Sequence, residues 1–338
     1  MKKLYSAFIL SFLFSAVSYA QDPHFSQFFS SPLTLNPAFT GKFDGVLRVA
    51  GNYRNQWPAF GNAFTTATLS VDFPILAGKI PQNDTWGIGF LGLTDRAAEG
   101  ILTTNYFGIS TAYSKALDED GFQQISAGFM ASFGQKRLDL SKLVFEDQLT
   151  ANGFNLSIPS SELPSFTNPN IKYVDIDAGL MFSSSTSADN NFYVGASMYH
   201  INKPKETFSG GTWNIGTRSS VTAGGYFPLT NTLTLHTSGI YQLQDNASEL
   251  VFGGALAAKI TDDNSINSAI VYAGSWLRYK DALIPYLGLE FNGYRLGATY
   301  DVNTSSLKSG SQSRGGMEIS LIYIKPAAES RGIPCPKF

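Results

Sequence analysis

The sequence predicts an all-β protein, a transmembrane antiparallel β-barrel of about 14 strands, on three observations. Short segments alternate apolar and polar residues with a period of two, over the roughly 9–11 residues that a tilted membrane strand needs. Charged residues make up 15% of the 338-residue chain while aromatics reach 14%, whereas soluble globular proteins carry about 25% charge. An export leader opens the chain, and no later apolar stretch is long enough to cross a bilayer as a helix. With 26 Phe, 16 Tyr and 32 Gly and a mean hydropathy of −0.04, the surface is made of small polar, glycine and aromatic residues. That is the composition of strands with one face in lipid and the other in a polar lumen.

The elements follow in order. Residues 1–20, MKKLYSAFILSFLFSAVSYA, carry two lysines, an apolar core from Leu4 to Val17 and the small-residue exit Ser18-Tyr19-Ala20. This is a secretory signal peptide pattern, with cleavage expected near Ala20. Residues 21–44 form an N-terminal arm, expected to be ordered. Its Ser31-Pro32 and Asn36-Pro37 turns fix φ and lack amide donors, so it is not a ladder strand. The barrel is assigned to 45–325 and a C-terminal tail to 326–338. In 122–133 the odd positions Ile125, Phe129 and Phe133 are apolar, whereas Gln124, Ser126 and Ser132 are polar. In 232–244, Leu233, Leu235, Tyr241 and Leu243 share one face, with Thr232, Thr234, His236, Ser238 and Gln242 on the other. Met317, Ile319, Leu321 and Tyr323 alternate with Glu318 and Ser320. Fourteen such segments place both termini in the periplasm, the long connections 138–171, 203–213 and 303–313 outside, and short turns such as Asn292-Gly293 inside. The connection 75–84 is longer than a periplasmic turn should be. A soluble sandwich or propeller is disfavoured, because no blade-length repeat and no linker-like composition shift is visible.

Several function classes are excluded or weakened. A net charge of −2 with no basic run argues against nucleic acid as a partner. One cysteine, Cys335, permits no internal disulfide. His24, His200 and His236 are scattered without metal or triad spacing, so no catalytic residue, metal or cofactor is assigned and no enzyme is expected. Both His200 and His236 fall in expected strands, with His236 a lumen hydrogen-bonder. Glycine-rich stretches at 210–216 and 253–259 lack the helix and Lys-Ser/Thr pair of a phosphate loop. Asp175 and Asp177, two apart in a strand, point one way, and with Arg48, Glu290, Arg295 and Glu318 they are expected to form a lumen charge network that plugs the barrel. Phe25, Phe28 and Phe29 in the arm, with Asn36 and Phe39, either close the barrel mouth or dock a partner. The outer loop carries Leu143, Phe145, Phe154 and Phe166, and so many apolar side chains in one loop either pack on themselves or receive a protein.

Particular segments carry a resemblance. They are Asp22-Pro23, Phe25-Ser26-Gln27, Asn36-Pro37-Ala38-Phe39-Thr40-Gly41 and Tyr53-Arg54-Asn55-Gln56-Trp57-Pro58. Late in the chain come Tyr300-Asp301-Val302-Asn303, Gly315-Gly316-Met317-Glu318-Ile319-Ser320-Leu321 and the tail Cys335-Pro336-Lys337-Phe338. Together these are similar to the PorP/SprF family of type IX secretion and gliding-motility outer-membrane proteins of Bacteroidota, from Gln21 to Phe338. The tail has Lys where the family's ending has Arg. The resemblance implies a barrel without enzymatic activity. Its implied partners are a secreted surface adhesin, or that adhesin's C-terminal signal domain, and periplasmic components of the secretion machine or gliding motor. The alternative is a passive outer-membrane solute channel, although open pores line a constriction with charged rings and this chain has few charges.

Overall fold

Inward and outward faces of the wall follow the parity of the sequence. Along the fifth strand Ile125, Phe129 and Phe133 are exposed while Gln124, Ser126, Met130 and Ser132 are buried. The computed structural model describes residues 22–60, 64–187, 190–260 and 269–327. The expected signal peptide of 1–20, the tail from 328 on with Cys335, and part of the turn after Ser187 lie outside them. The strands are β1 (Leu47–Gln56), β2 (Phe64–Ile75), β3 (Thr85–Ala97), β4 (Leu102–Ala116), β5 (Gln123–Leu138), β6 (Asn170–Ser187) and β7 (Asn190–Tyr199). They continue with β8 (Arg218–Pro228), β9 (Leu233–Gln244), β10 (Ala247–Lys259), β11 (Ala269–Arg278), β12 (Ala282–Phe291), β13 (Tyr294–Asn303) and β14 (Arg314–Lys325).

Each strand pairs antiparallel with its sequence neighbours, and β1 pairs with β14 from Leu47↔Lys325 to Gln56↔Gly316, which closes the barrel. Closure leaves no free sheet edge around the wall, the condition for a β-structure in lipid. The outward side chains are apolar: Phe129 and Leu180 are each 60% exposed and Leu287 65%. The wall is uneven in height, with 16 residues in β5 and 18 in β6 but 10 in β7. The strand expected to run through His200 stops at Tyr199, because His200 turns into the left-handed region at φ 58°.

Connections after odd-numbered strands collect at one end, which carries the long segments 139–169, 200–217 and 304–313. The other end carries 76–84, 117–122, 229–232 and 292–293. The segment 76–84 is held by Asp84, whose carboxylate accepts the Ala116 amide at 2.9 Å and the Tyr113 hydroxyl. The loop 139–169 contains its own two-residue hairpin, Leu149–Thr150 with Gly153–Phe154.

The arm departs from the sequence expectation. It does not sit at a mouth; it runs the whole length of the lumen. Asp22 lies beside Gln244, His200 and Arg218 at the long-loop end. Phe39, Gly41 and Lys42 meet Arg48, Asp72 and Gln124 at the short-turn end. The two ends of the described chain, Asp22 and Ala327, therefore lie at opposite ends of the barrel, not at one.

Candidate functional site

The arm is built from three short turns: Phe28–Ser30, Pro32–Leu35 and Pro37–Phe39. Pro32 and Pro37 each open a turn, where the missing amide costs nothing. Asn36 caps the last turn by accepting the Ala38 amide at 2.8 Å. Short turns without a sheet leave many backbone groups unpaired, and the wall supplies their partners.

At the long-loop end the dipeptide Ser26-Gln27 is seated on two carboxylates. Glu318 accepts the Ser26 and Gln27 amides at 2.7 and 3.0 Å, and Asp301 accepts the Ser26 hydroxyl at 2.7 and 2.8 Å. Asp301 also takes Arg54 at 3.0 Å and Arg278 at 2.9 Å, while Arg54 donates to the His24 carbonyl at 2.6 Å. Arg278 continues to Glu249 at 3.1 Å, and Glu249 meets His24 at 3.0 Å. Asp301, Arg54, Arg278 and Glu249 each have an oppositely charged partner, which is what lets ions stay buried, while Glu318 is met by the two arm amides.

Halfway down, Phe29 sits among His236, Trp276 and Tyr286 with ring centroids 5.2, 4.6 and 5.5 Å away. His236 stacks on Tyr226 at 4.5 Å, so its role is aromatic packing where a polar lumen contact was expected. Further on, the Ser197 hydroxyl donates to the Leu35 carbonyl at 3.0 Å. At the short-turn end Arg48 holds Asp72 through two bonds of 2.9 and 2.8 Å and donates to the Phe39 carbonyl at 3.0 Å. Asp72 in turn accepts the Gly41 amide at 2.7 Å, and Thr40 meets Ser110 at 2.6 Å.

Asn36 ties the arm to the backbone of the wall. Its amide nitrogen donates to the Leu180 and Ala196 carbonyls, both at 3.1 Å. A side chain at Gly179 would collide with the Asn36 amide, and one at Gly128 would collide with the Pro37 backbone. These two wall glycines thus admit the arm where any Cβ would push it out. Replacing Asn36 with Ala removes the cap and both carbonyl bonds, and a cost of about 2–3 kcal/mol is expected. Urea unfolding of the detergent-solubilised barrel measures it.

The five arm residues singled out from sequence, Phe25, Phe28, Phe29, Asn36 and Phe39, are all buried inside the barrel. The six polar candidates for one lumen network are divided among separate groups. Arg48 pairs with Asp72, Arg295 with Glu290 at 2.8 Å, Glu318 with the arm, and Asp175 with His200 at 2.6 Å. Alternation gave their facing but not their partners: Asp72 meets Arg48 across the β1–β2 register, whereas Arg54 and Asp301, which share the end of the lumen with Glu318, meet over 247 residues. Within those partners lies a signal that could have been found. Arg54, Asp301 and Glu318 belong to the segments that carry the family resemblance, and all three meet the arm between His24 and Gln27.

In the outer loop Phe145 and Phe166 pack on each other, with centroids 6.0 Å apart, and Leu143 is half-buried. Phe154 is 58% and Leu156 66% exposed, with Val144, Leu149 and Ile158 also presented. The loop is braced by Asp147, which accepts the Ser161 amide at 2.7 Å. That bond and the Ser160 hydroxyl hold the carboxyl below the ordinary carboxylate range.

Residues 17–323 match the model of a family described as type IX secretion system membrane protein PorP/SprF. Among curated proteins none matches the chain. Among solved structures the chain is similar to the CymD monoaromatic hydrocarbon channel, with a TM-score of 0.48 and 9% identity over 89% of this chain and 94% of that one. It is also similar to the Ralstonia pickettii toluene transporter TbuX, with a TM-score of 0.46 and 8% identity over 87% of this chain and 92% of that one. A Pseudomonas aeruginosa FadL homologue gives a TM-score of 0.46 and 10% identity over 87% and 94%.

Proposed function

Because the chain belongs to the PorP/SprF family of type IX secretion system membrane proteins, we propose that this outer-membrane barrel is a non-enzymatic, plugged docking scaffold. It binds a secreted surface protein through that protein's C-terminal signal domain and supports its export or anchoring. Periplasmic components of the secretion machine would engage the opposite end. The observation that carries this reading is the filled lumen. An arm bonded to the wall from Asp22 to Lys42 leaves the loops and rims, not a pore, as the working surface. The apolar tip of 139–169, with Phe154 and Leu156 exposed, has the character of a protein-receiving patch.

The test is affinity purification of the tagged protein from mild-detergent envelopes of its own host, with mass spectrometry of what is retained. Recovery of a large surface protein ending in a C-terminal signal domain supports the reading. Recovery of the barrel alone after crosslinking, together with stepwise conductance of the intact chain in a planar bilayer, would replace it with a solute channel. Charging the loop tip gives a sharper expectation. Phe154→Asp with Leu156→Asp should lower partner retention at least tenfold, the scale of two apolar anchors at ~1–2 kcal/mol each, with the unfolding midpoint unchanged.

A further inference from the structure

At the long-loop end, Asp175 and Asp177 of β6 face His200, which follows β7. The two aspartates lie two apart on one strand, so both enter the lumen together. The left-handed backbone of His200 turns its ring back toward them. All three residues are buried, His200 to 4% exposure. One oxygen of each aspartate and one ring nitrogen lie within 4.8 Å of one another.

The bonding around the ring is unbalanced. His200 Nε2 meets Asp22 Oδ2 of the arm at 2.7 Å, a good hydrogen bond. On the other side Nδ1 lies 2.6 Å from Asp175 Oδ2 but outside hydrogen-bond geometry, and it is buried with no hydrogen-bond partner. Asp177 receives only the His200 amide, at 3.1 Å on Oδ1. With Nε2 held by Asp22, a cation taking the place of the Nδ1 proton would face Asp175 and Asp177 together. Three carboxylates surround the ring, and only the imidazole and one guanidinium, Arg218 at 3.4 Å from Asp22, stand against them. A cavity of about 60 Å³ adjoins the group, lined by Asp22, Asp175, Asp177, His200, Arg218 and Tyr106. A water occupies roughly 30 Å³ in the liquid, so an ion with a water fits.

We propose that Asp175, Asp177 and His200 form a binding site for a divalent transition-metal cation of the zinc class. The imidazole nitrogen selects such an ion over calcium or magnesium, which take oxygen ligands. Asp22 is the positioning residue, because its carboxylate on Nε2 fixes the tautomer that aims Nδ1 at the ion. The site ties the start of the arm to β6 and to the end of β7, so the ion acts as a staple on the plug. This extends beyond the docking function and stands or falls independently of it.

The experiment is calorimetric titration of Zn²⁺ into the full chain carrying Cys335→Ser, purified in detergent after chelation. One Zn²⁺ per chain is expected, with a raised urea midpoint on loading. Asp177→Asn and His200→Gln should each abolish both effects, and Asp22→Asn should weaken binding about 10–100-fold. Calcium should not compete. Heat-modifiable mobility identifies which variants are folded, and either of the first two is sufficient. No saturable Zn²⁺ binding by the parent chain, or stoichiometric binding that survives both Asp177→Asn and His200→Gln, would overturn the proposal.

Discussion

Removing residues 22–41 should turn a silent barrel into a conducting pore. Barrels of about eight strands fill their own interior, and those of 16–18 leave an aqueous channel. A wall of fourteen strands therefore needs something to occupy it, and the arm does so with Phe29, Leu33, Leu35 and Phe39, each buried against the wall. Nothing in the wall alone replaces that volume. Stepwise openings in a planar bilayer are expected from the deletion variant and none from the full chain. A full chain that conducts as readily as the deletion would mean that the arm does not block the lumen. The deletion is also expected to lose partner retention, since Asp22 to Gln27 brace the charged groups under the loop-bearing rim.

The second large effect is expected at Asp301. Its carboxylate accepts the Ser26 hydroxyl, Arg54 and Arg278, so Asp301→Ala leaves two buried guanidiniums short of a counter-charge. Removing one member of a buried ion pair costs about 3–5 kcal/mol. Asp301→Asn should restore part of the hydrogen bonding but not the charge. Ser26→Ala alone should cost only ~1 kcal/mol. The pair also supplies a test of connection: Ser26→Ala in the Asp301→Ala background should cost far less than it does alone. Additive losses would show that the arm and Asp301 are energetically separate.

Wall and contents differ in how far they could be read from sequence. Alternation such as Ile125-Ala127-Phe129 against Gln124-Ser126 assigns a face to each residue, because a strand has a fixed period of two and lipid demands an apolar side. Strand pairing followed from chain order alone, since each strand pairs with the next and closure joins first to last. The arm carried no such periodicity. Its prolines announced turns, but no local rule says that turns lie in a lumen instead of over a mouth. The deciding features are long-range: Gly179 and Gly128 leave room for Asn36 and Pro37, and Glu318 accepts amides 292 and 291 residues away. His200 shows the same limit. Its sequence spacing from Asp175 and Asp177 fits no local metal pattern, and only the register of β6 with β7 brings them together.

Amide hydrogen exchange of the full chain in detergent, resolved to peptides across 22–43, tests the central claim most directly. The Ser26, Gln27, Ala38 and Gly41 amides each bond a buried acceptor, Asn36 on the arm for Ala38 and a wall carboxylate for the others. They should exchange as slowly as the β5 and β6 ladders and become fast only when the barrel unfolds. Exchange of this segment at the rate of the exposed loop 139–169, while the strands stay protected, would contradict a barrel closed by its own arm.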